Sequence, residues 1–225
     1  MNWSSGKDSA MALYQLLDQK EYCVDQLFTT VSLSTNRITM HGLQQKVLEK
    51  QAQLLNIPLE IAYLSESINM ENYNQLMNQK ISTFKLNGYD HCAYGDIFLE
   101  DLKIYREKQL EPLNVKAHFP LWGQNTKTLI DTFFALGFRA VIVAADSKWF
   151  DETFVGQEIT PSLMNKLPSN VDPCGENGEF HTFCFDGPIF KKRVDYEIGK
   201  KIYKTYPSPS TEKEDVGFWF CDIEL

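Results

Sequence analysis

Over its first 150 residues the chain alternates short apolar runs with longer stretches of helical periodicity, and this rhythm narrows its possible folds more than any other feature. The runs at 24–31, 59–64, 91–94, 115–119 and 140–145 read as strands. Between them, 43–55, 70–86, 102–110 and 126–136 carry apolar residues at helical spacing, closed by Asn56-Ile57-Pro58, Asn87-Gly88, Pro112 and Gly137. Strands separated by helices of that length do not pair as hairpins. The pattern therefore predicts an α/β chain with a doubly wound parallel sheet and helices on both faces. After about residue 150, Pro161, Pro168, Pro173, Gly175, Gly178, Gly187 and Pro188 interrupt aromatic-rich pieces at 180–185, 194–206 and 216–225. Val194, Tyr196 and Ile198 alternate with Asp195 and Glu197, which predicts a half-buried antiparallel strand. The expected organisation is an α/β domain over 1–150 and a smaller mixed α+β unit over 151–225, with 208–214 a polar loop.

Bulk properties exclude several classes. No apolar run reaches the length of a membrane span, and no basic stretch with an apolar core opens the chain, so a cytoplasmic setting is expected. Five scattered cysteines without a C-x-x-C pair fit reduced thiols better than disulfides or zinc. A formal net charge of −8 argues against extended nucleic-acid binding, and Lys191-Lys192-Arg193 reads as a solvated basic run. The run Phe218-Trp219-Phe220 reads as a strand buried on both faces, with a homodimer interface left open.

Residues 4–9 (SSGKDS) run straight into a helix, at the kind of junction where doubly wound sheets bind ligands. Free amides and the helix dipole attract an anion there, and Gly6 lets the backbone approach it. Ser4, Ser5 and Ser9 add hydroxyl donors and Lys7 a point charge; Asp8 suits a bound Mg²⁺. The plain alternative is that Ser5 or Asp8 merely caps the helix. Only residues 1–3 precede the loop, so either the first strand is short or the natural protein starts earlier.

These residues resemble the S-G-G-K-D-S pyrophosphate loop of the PP-loop ATPases, with Ser5 where the motif has its first glycine. Tyr94-Gly95-Asp96-Ile97, Arg106-Glu107, Pro120-Leu121-Trp122, the stretch 175–183 (GENGEFHTF) and 186–190 (DGPIF) are together similar to the diphthine–ammonia ligase family. The resemblance implies an ATP-dependent ligase. It activates a carboxylate, on a small molecule or a protein, as an acyl-adenylate, releases pyrophosphate, and lets ammonia replace AMP. Lys7 and the loop amides would hold phosphates, Asp8 the metal, and Thr29 and Thr30 the ribose or adenine.

The stretch 175–183 sets Glu176, Asn177, Glu179 and His181 around two glycines. Glu176 and Glu179 could bind ammonium and act as base, and His181 could do so near neutral pH. An Asn-Gly hairpin with solvated glutamates is the alternative. Diphthamide-forming members read G-E-G-G-E-[FY]-E-T, so Asn177 replaces a glycine and His181 a glutamate. This variant looks like a bacterial branch, for which amidation transfers better than diphthine as substrate. His41 and Gly42 at a helix start, Gly95 and Asp96 at a strand end, Arg106 and Asn177 complete the expected substrate side. Two other readings stay open: an ATP- or AMP-binding regulator without turnover, and an RNA-modifying enzyme. The acidic charge and missing C-x-x-C pairs weigh against the second.

Overall fold

The computed structural model describes residues 1–39, 42–65, 67–206 and 215–225; His41 and the expected polar loop at 208–214 lie outside them. The fold is mixed α/β, with parallel pairing in the first half and a separate antiparallel sheet in the second. In the first half, β1 (Leu27–Ser32) pairs in parallel with β3 (Leu59–Leu64), and β4 (His91–Ala93) with β5 (Lys116–His118). A two-residue β2 (Arg37–Ile38) folds back on β1.

Residues 1–3 bridge the two parallel pairs. Trp3 N–H donates to Phe28 O and Phe28 N–H to Met1 O, each at 2.8 Å, while Asn2 N–H donates to Ala93 O at 2.8 Å on the other side. Three residues thus act as a strand because both of their edges are hydrogen-bonded. Trp3 anchors them, 1% exposed, with its indole N–H donating to Gln51 Oε1 at 3.0 Å.

The helices sort into two apolar clusters. Leu13 of α1 (Lys7–Gln19) and Val47 and Leu48 of α2 (Gln45–Leu55) join the larger, which also holds Phe133 of α5 (Thr126–Ala135). Met77 and Ile81 of α3 (Met70–Leu86) and Leu110 of α4 (Glu100–Leu110) join Phe28, Ala62 and Val115 in the smaller. Asn69 and Asn125 cap α3 and α5 by accepting from the N–H of Asn72 and Thr128.

The second half forms an antiparallel sheet in the order β7 (Phe180–Asp186), β6 (Arg139–Asp146), β9 (Val216–Glu224), β8 (Glu197–Tyr206). Here the structure departs from expectation: β6 carries the apolar run at 140–145 but pairs antiparallel with β7 and β9. An unbroken apolar run reports burial on both faces, which a central antiparallel strand under a thick core shares with a parallel one. The half-buried strand expected around Val194, Tyr196 and Ile198 is also different. Val194 is buried ahead of β8, whereas Ile198, Ile202, Tyr203 and Tyr206 of β8 are exposed, because β8 is the sheet edge. Phe218, Trp219 and Phe220 are each only half-buried. Arg37 ties the halves together, its Nη1 and Nη2 donating to Asp222 at 2.9 and 2.8 Å.

Candidate active site

The loop at residues 4–9 passes from the residue 1–3 strand into α1, and neither Ser5 nor Asp8 caps the helix. Gly6 is the N-cap and makes no side-chain capping bond. Instead β7 supports the loop from outside: Thr182 Oγ1 accepts from Lys7 N–H at 3.0 Å, and Cys184 N–H donates to Ser5 O at 2.9 Å. Gln51, which belongs to none of the sequence motifs, donates to Ser5 O at 3.1 Å and Cys184 O at 2.7 Å. A polar residue on the apolar face of α2 was its only sequence signal. Ser4 Oγ and Ser9 Oγ lie 3.2 Å apart over the turn. Lys7 is buried, with Nζ donating to both Asp8 oxygens at 2.8 and 2.7 Å and to the Cys174 carbonyl. Burial opposes the Lys7 charge, but Asp8 and its other acidic neighbours outweigh this and hold its pKa above the ordinary lysine value.

Ser5 points away from the cavity. It is fully buried at a φ of +74°, a left-handed backbone that favours glycine, and its Oγ has no hydrogen-bond partner among the described residues. Ser5→Gly removes both costs and should stabilise the fold by about 1 kcal/mol, a Tm rise of about 2–4 °C. A lower Tm would show that the hydroxyl is worth more than the strain.

Opposite this loop stands the one at 172–180. Asp172 Oδ2 accepts from the N–H of Cys174 and Glu176 at 2.9 and 3.1 Å. Glu179, 4% exposed, accepts from Asp172 N–H, Asn177 N–H and Asn177 Nδ2, each at 3.0 Å. Its carboxylate therefore serves the loop backbone and does not line the cavity, unlike the ammonium-facing base expected from sequence. Nor is the loop an Asn-Gly hairpin with solvated glutamates. Glu176 lies partly buried across the gap, with Oε1 accepting from Ile97 N–H at 2.7 Å.

A cavity of about 750 Å³ separates the two loops. Ser4, Gly6, Lys7, Asp8 and Ser9 form one wall, and Thr29 and Thr30, in the middle of β1, line the cavity beside them. Gly95, Asp96 and Arg106 line a second side; Glu176, Asn177 and His181 line a third. Arg106 Nε meets Asp96 Oδ2 at 2.6 Å, and its guanidinium lies 4.2 Å above the Tyr94 ring centre. Gly95 runs against α1: a Cβ there would stand 3.0 Å from Asp8 C and Ser9 N. Gly42 is not part of this cavity. It packs on the Phe220 ring, which a Cβ would meet at 2.9 Å, and its carbonyl accepts from Arg37. Among the described residues, no group of three or more His, Cys, Asp or Glu side chains is suited to a metal. No described helix is long and apolar enough to cross a membrane.

Glu176 and His181 both titrate far from their ordinary values. Burial, with Asp8 and Asp96 nearby, pushes the Glu176 carboxyl up to about 7. Burial beside Lys7 pushes His181 down to about 4, so the imidazole is neutral near pH 7, where the sequence suggested a titrating base. Glu176 keeps its proton on folding between its ordinary 4.5 and about 7, so its contribution to stability falls as pH rises through that window. His181 loses its proton on folding between about 4 and its ordinary 6.5, so its contribution rises with pH there. The two slopes oppose each other. Relative to the parent chain, Glu176→Gln should tilt stability upward with pH between 4.5 and 6.5, and His181→Gln downward. Urea unfolding at both ends of the window reads this out, and tilts of the same sign would contradict it.

Comparison with known proteins identifies the family. Residues 1–117 match the diphthamide synthase N-terminal domain and residues 125–211 the diphthamide synthase C-terminal domain. The diphthine–ammonia ligase of Rattus norvegicus is 29% identical over 115 residues, covering 49% of this chain and 43% of that protein. That of Mus musculus is 30% identical over 101 residues, covering 43% and 38%. That of Homo sapiens is 27% identical over 107 residues, covering 45% and 40%. The matched part spans about two fifths of the length of these curated relatives. With both domain models matched in order along its length, the chain belongs to the diphthamide synthase family.

Proposed function

We propose that this chain is an ATP-dependent, AMP-forming amide ligase that activates a carboxylate and joins it to ammonia. One observation carries the reading: the loop at 4–9 and the Glu176 carboxyl face each other across a single cavity. The low identity to diphthine–ammonia ligases supports the reaction class more than the acceptor. His181 and Asn177 depart from the diphthamide-forming pattern, and we assign the chain to a bacterial-type branch acting on a carboxylate other than diphthine. In the same reading the parallel layer is the doubly wound PP-loop sheet, and the division into an α/β domain over 1–150 and a smaller mixed unit over 151–225 belongs to the proposal. A cytoplasmic setting belongs to the proposal.

The residues present fit a nucleotide. Gly6, the N-cap of α1, has no capping side chain, and although Thr182 Oγ1 takes Lys7 N–H, Ser4, Ser9 and the Lys7 ammonium supply hydroxyl and ammonium donors for phosphates. Thr29 and Thr30 stand where a ribose or base would lie. Asp8 would hold Mg²⁺, an ion that binds through one or two carboxylates and substrate phosphates; its move from Lys7 to the metal would free the Lys7 ammonium for phosphate. Bound ATP supplies the adenylyl group that activates the acceptor, with pyrophosphate and then AMP as leaving groups. Glu176 takes a proton from ammonium at the cavity wall, and its orientation is fixed by Ile97 N–H.

The test is product analysis of α-labelled ATP incubated with the protein, Mg²⁺, ammonium and fractionated metabolites and proteins. AMP that requires both ammonium and one fraction, and vanishes in Asp8→Ala, is the expected result. ADP as product overturns the reading.

A further inference from the structure

The cavity extends well beyond the phosphate loop. It continues between α3 and the parallel layer, lined on the helix side by Tyr73, Met77, Ile81 and Phe84 and on the sheet side by Phe28 and Val115, with Asn2, Gln26 and His91 adding polar groups to the same cavity wall. The four α3 residues follow one another at spacings of four, four and three, which places them on one stripe of the helix. At 1.5 Å per residue that stripe is about 16 Å long. The crevice exists because the covering helices dock sparsely. Of the 17 residues of α3 only Met77 and Ile81 are buried, and α4 buries only Leu110.

The upper end of this apolar crevice is charged. Arg106 stands there over Tyr94 and beside Asp96. A guanidinium already covers the Tyr94 face, so a quaternary ammonium group would meet a positive charge there in place of an open ring. A carboxylate, by contrast, meets the N–H donors of the guanidinium fork that Asp96 leaves free. Thr29 and Thr30, beside the loop, remain for the nucleotide.

We infer that the acceptor is a medium-chain aliphatic carboxylic acid, its tail in the crevice under α3 and its carboxylate at Arg106. The role as acceptor rests on the ligase reading; binding in the crevice does not. The chemistry adds no reactant to that reading. An acceptor oxygen bonds to the α-phosphorus as pyrophosphate leaves, and ammonia then bonds to the carbonyl carbon, giving up a proton as AMP leaves.

Hexanoate, octanoate, decanoate and succinate, titrated calorimetrically into the full chain, test the inference. Affinity should rise about fourfold for each added methylene, and succinate should not bind. Met77→Phe, which fills the crevice, and Arg106→Gln, which removes the charge, should each weaken decanoate at least tenfold; a cooperative melt verifies that each variant folds. Absence of binding, affinity independent of chain length, or undiminished decanoate binding in a folded Met77→Phe overturns the inference. Decanoate binding that follows the expected pattern, with no AMP formed from ATP and ammonium under any acceptor, overturns the ligase reading and leaves the crevice an apolar-acid site.

Discussion

Exchange of Glu176 for glutamine is expected to slow amide formation about 10²–10⁴-fold while the protein stays folded, the range a positioned general base supplies. Glutamine keeps the shape of the side chain and an acceptor oxygen for Ile97 N–H, which Glu176 meets at 2.7 Å, so loop geometry should survive. What is lost is the ability to take a proton. Because burial and the nearby Asp8 and Asp96 set the Glu176 carboxyl at about 7, the parent enzyme should gain activity as pH rises through 7, where the carboxyl becomes the base form. The variant should lack that limb. Rates measured from pH 6 to 8.5 at saturating ATP and ammonium check both parts. A variant that keeps the parent rate, or keeps the limb, removes Glu176 from the proton transfer.

Much of the cavity lining was legible because it lies at positions with strong local signals. Residues 4–9 sit between a strand and a long helical pattern, and Gly95 and Asp96 follow an apolar run; strand ends and helix starts point at ligands by geometry alone. The repetition of strands and helices was legible for the same reason, since period and punctuation are local. Partners across the fold were not. The apolar residues of β6 report that both faces are covered and say nothing of the direction of the neighbours, so its membership in the antiparallel sheet could not be read. Residues 1–3 look too short for a strand until β1 and β4 are seen to flank them.

Side-chain direction in irregular loops was the other blind spot. Glu176 and Glu179 stand three apart around Gly178, where no helical or strand period tells which one faces outward. The choice is made by Asp172, outside the motif, which pins the N–H of Cys174 and Glu176. Gln51 was hidden differently. It occupies an apolar helix face, and its value appears only when the Ser5 and Cys184 carbonyls and the Trp3 indole converge on it from three other segments.

The two glutamates are held differently, and in the proposed reading this separates a base from a scaffold. Glu179 accepts three hydrogen bonds from one loop and is almost wholly buried. Glu179→Ala leaves the donors of Asp172 and Asn177 without their acceptor, and an unmet buried donor costs about 1–3 kcal/mol. Some relaxation and water entry would recover part of that, so a net loss of about 3–5 kcal/mol is expected. For a chain of this size that lowers Tm by about 10 °C. Glu179→Gln keeps one oxygen and replaces the other with an N–H₂ group that faces donors, so it should fall between the parent and alanine variants. Activity should decline in the same order as Tm, because Glu176 is carried by the backbone that Glu179 holds. Thermal melting of both variants beside their rates decides the matter. A glutamine variant with parent Tm and no activity would return Glu179 to the chemistry; a graded loss of both makes it the residue that sets Glu176 in place.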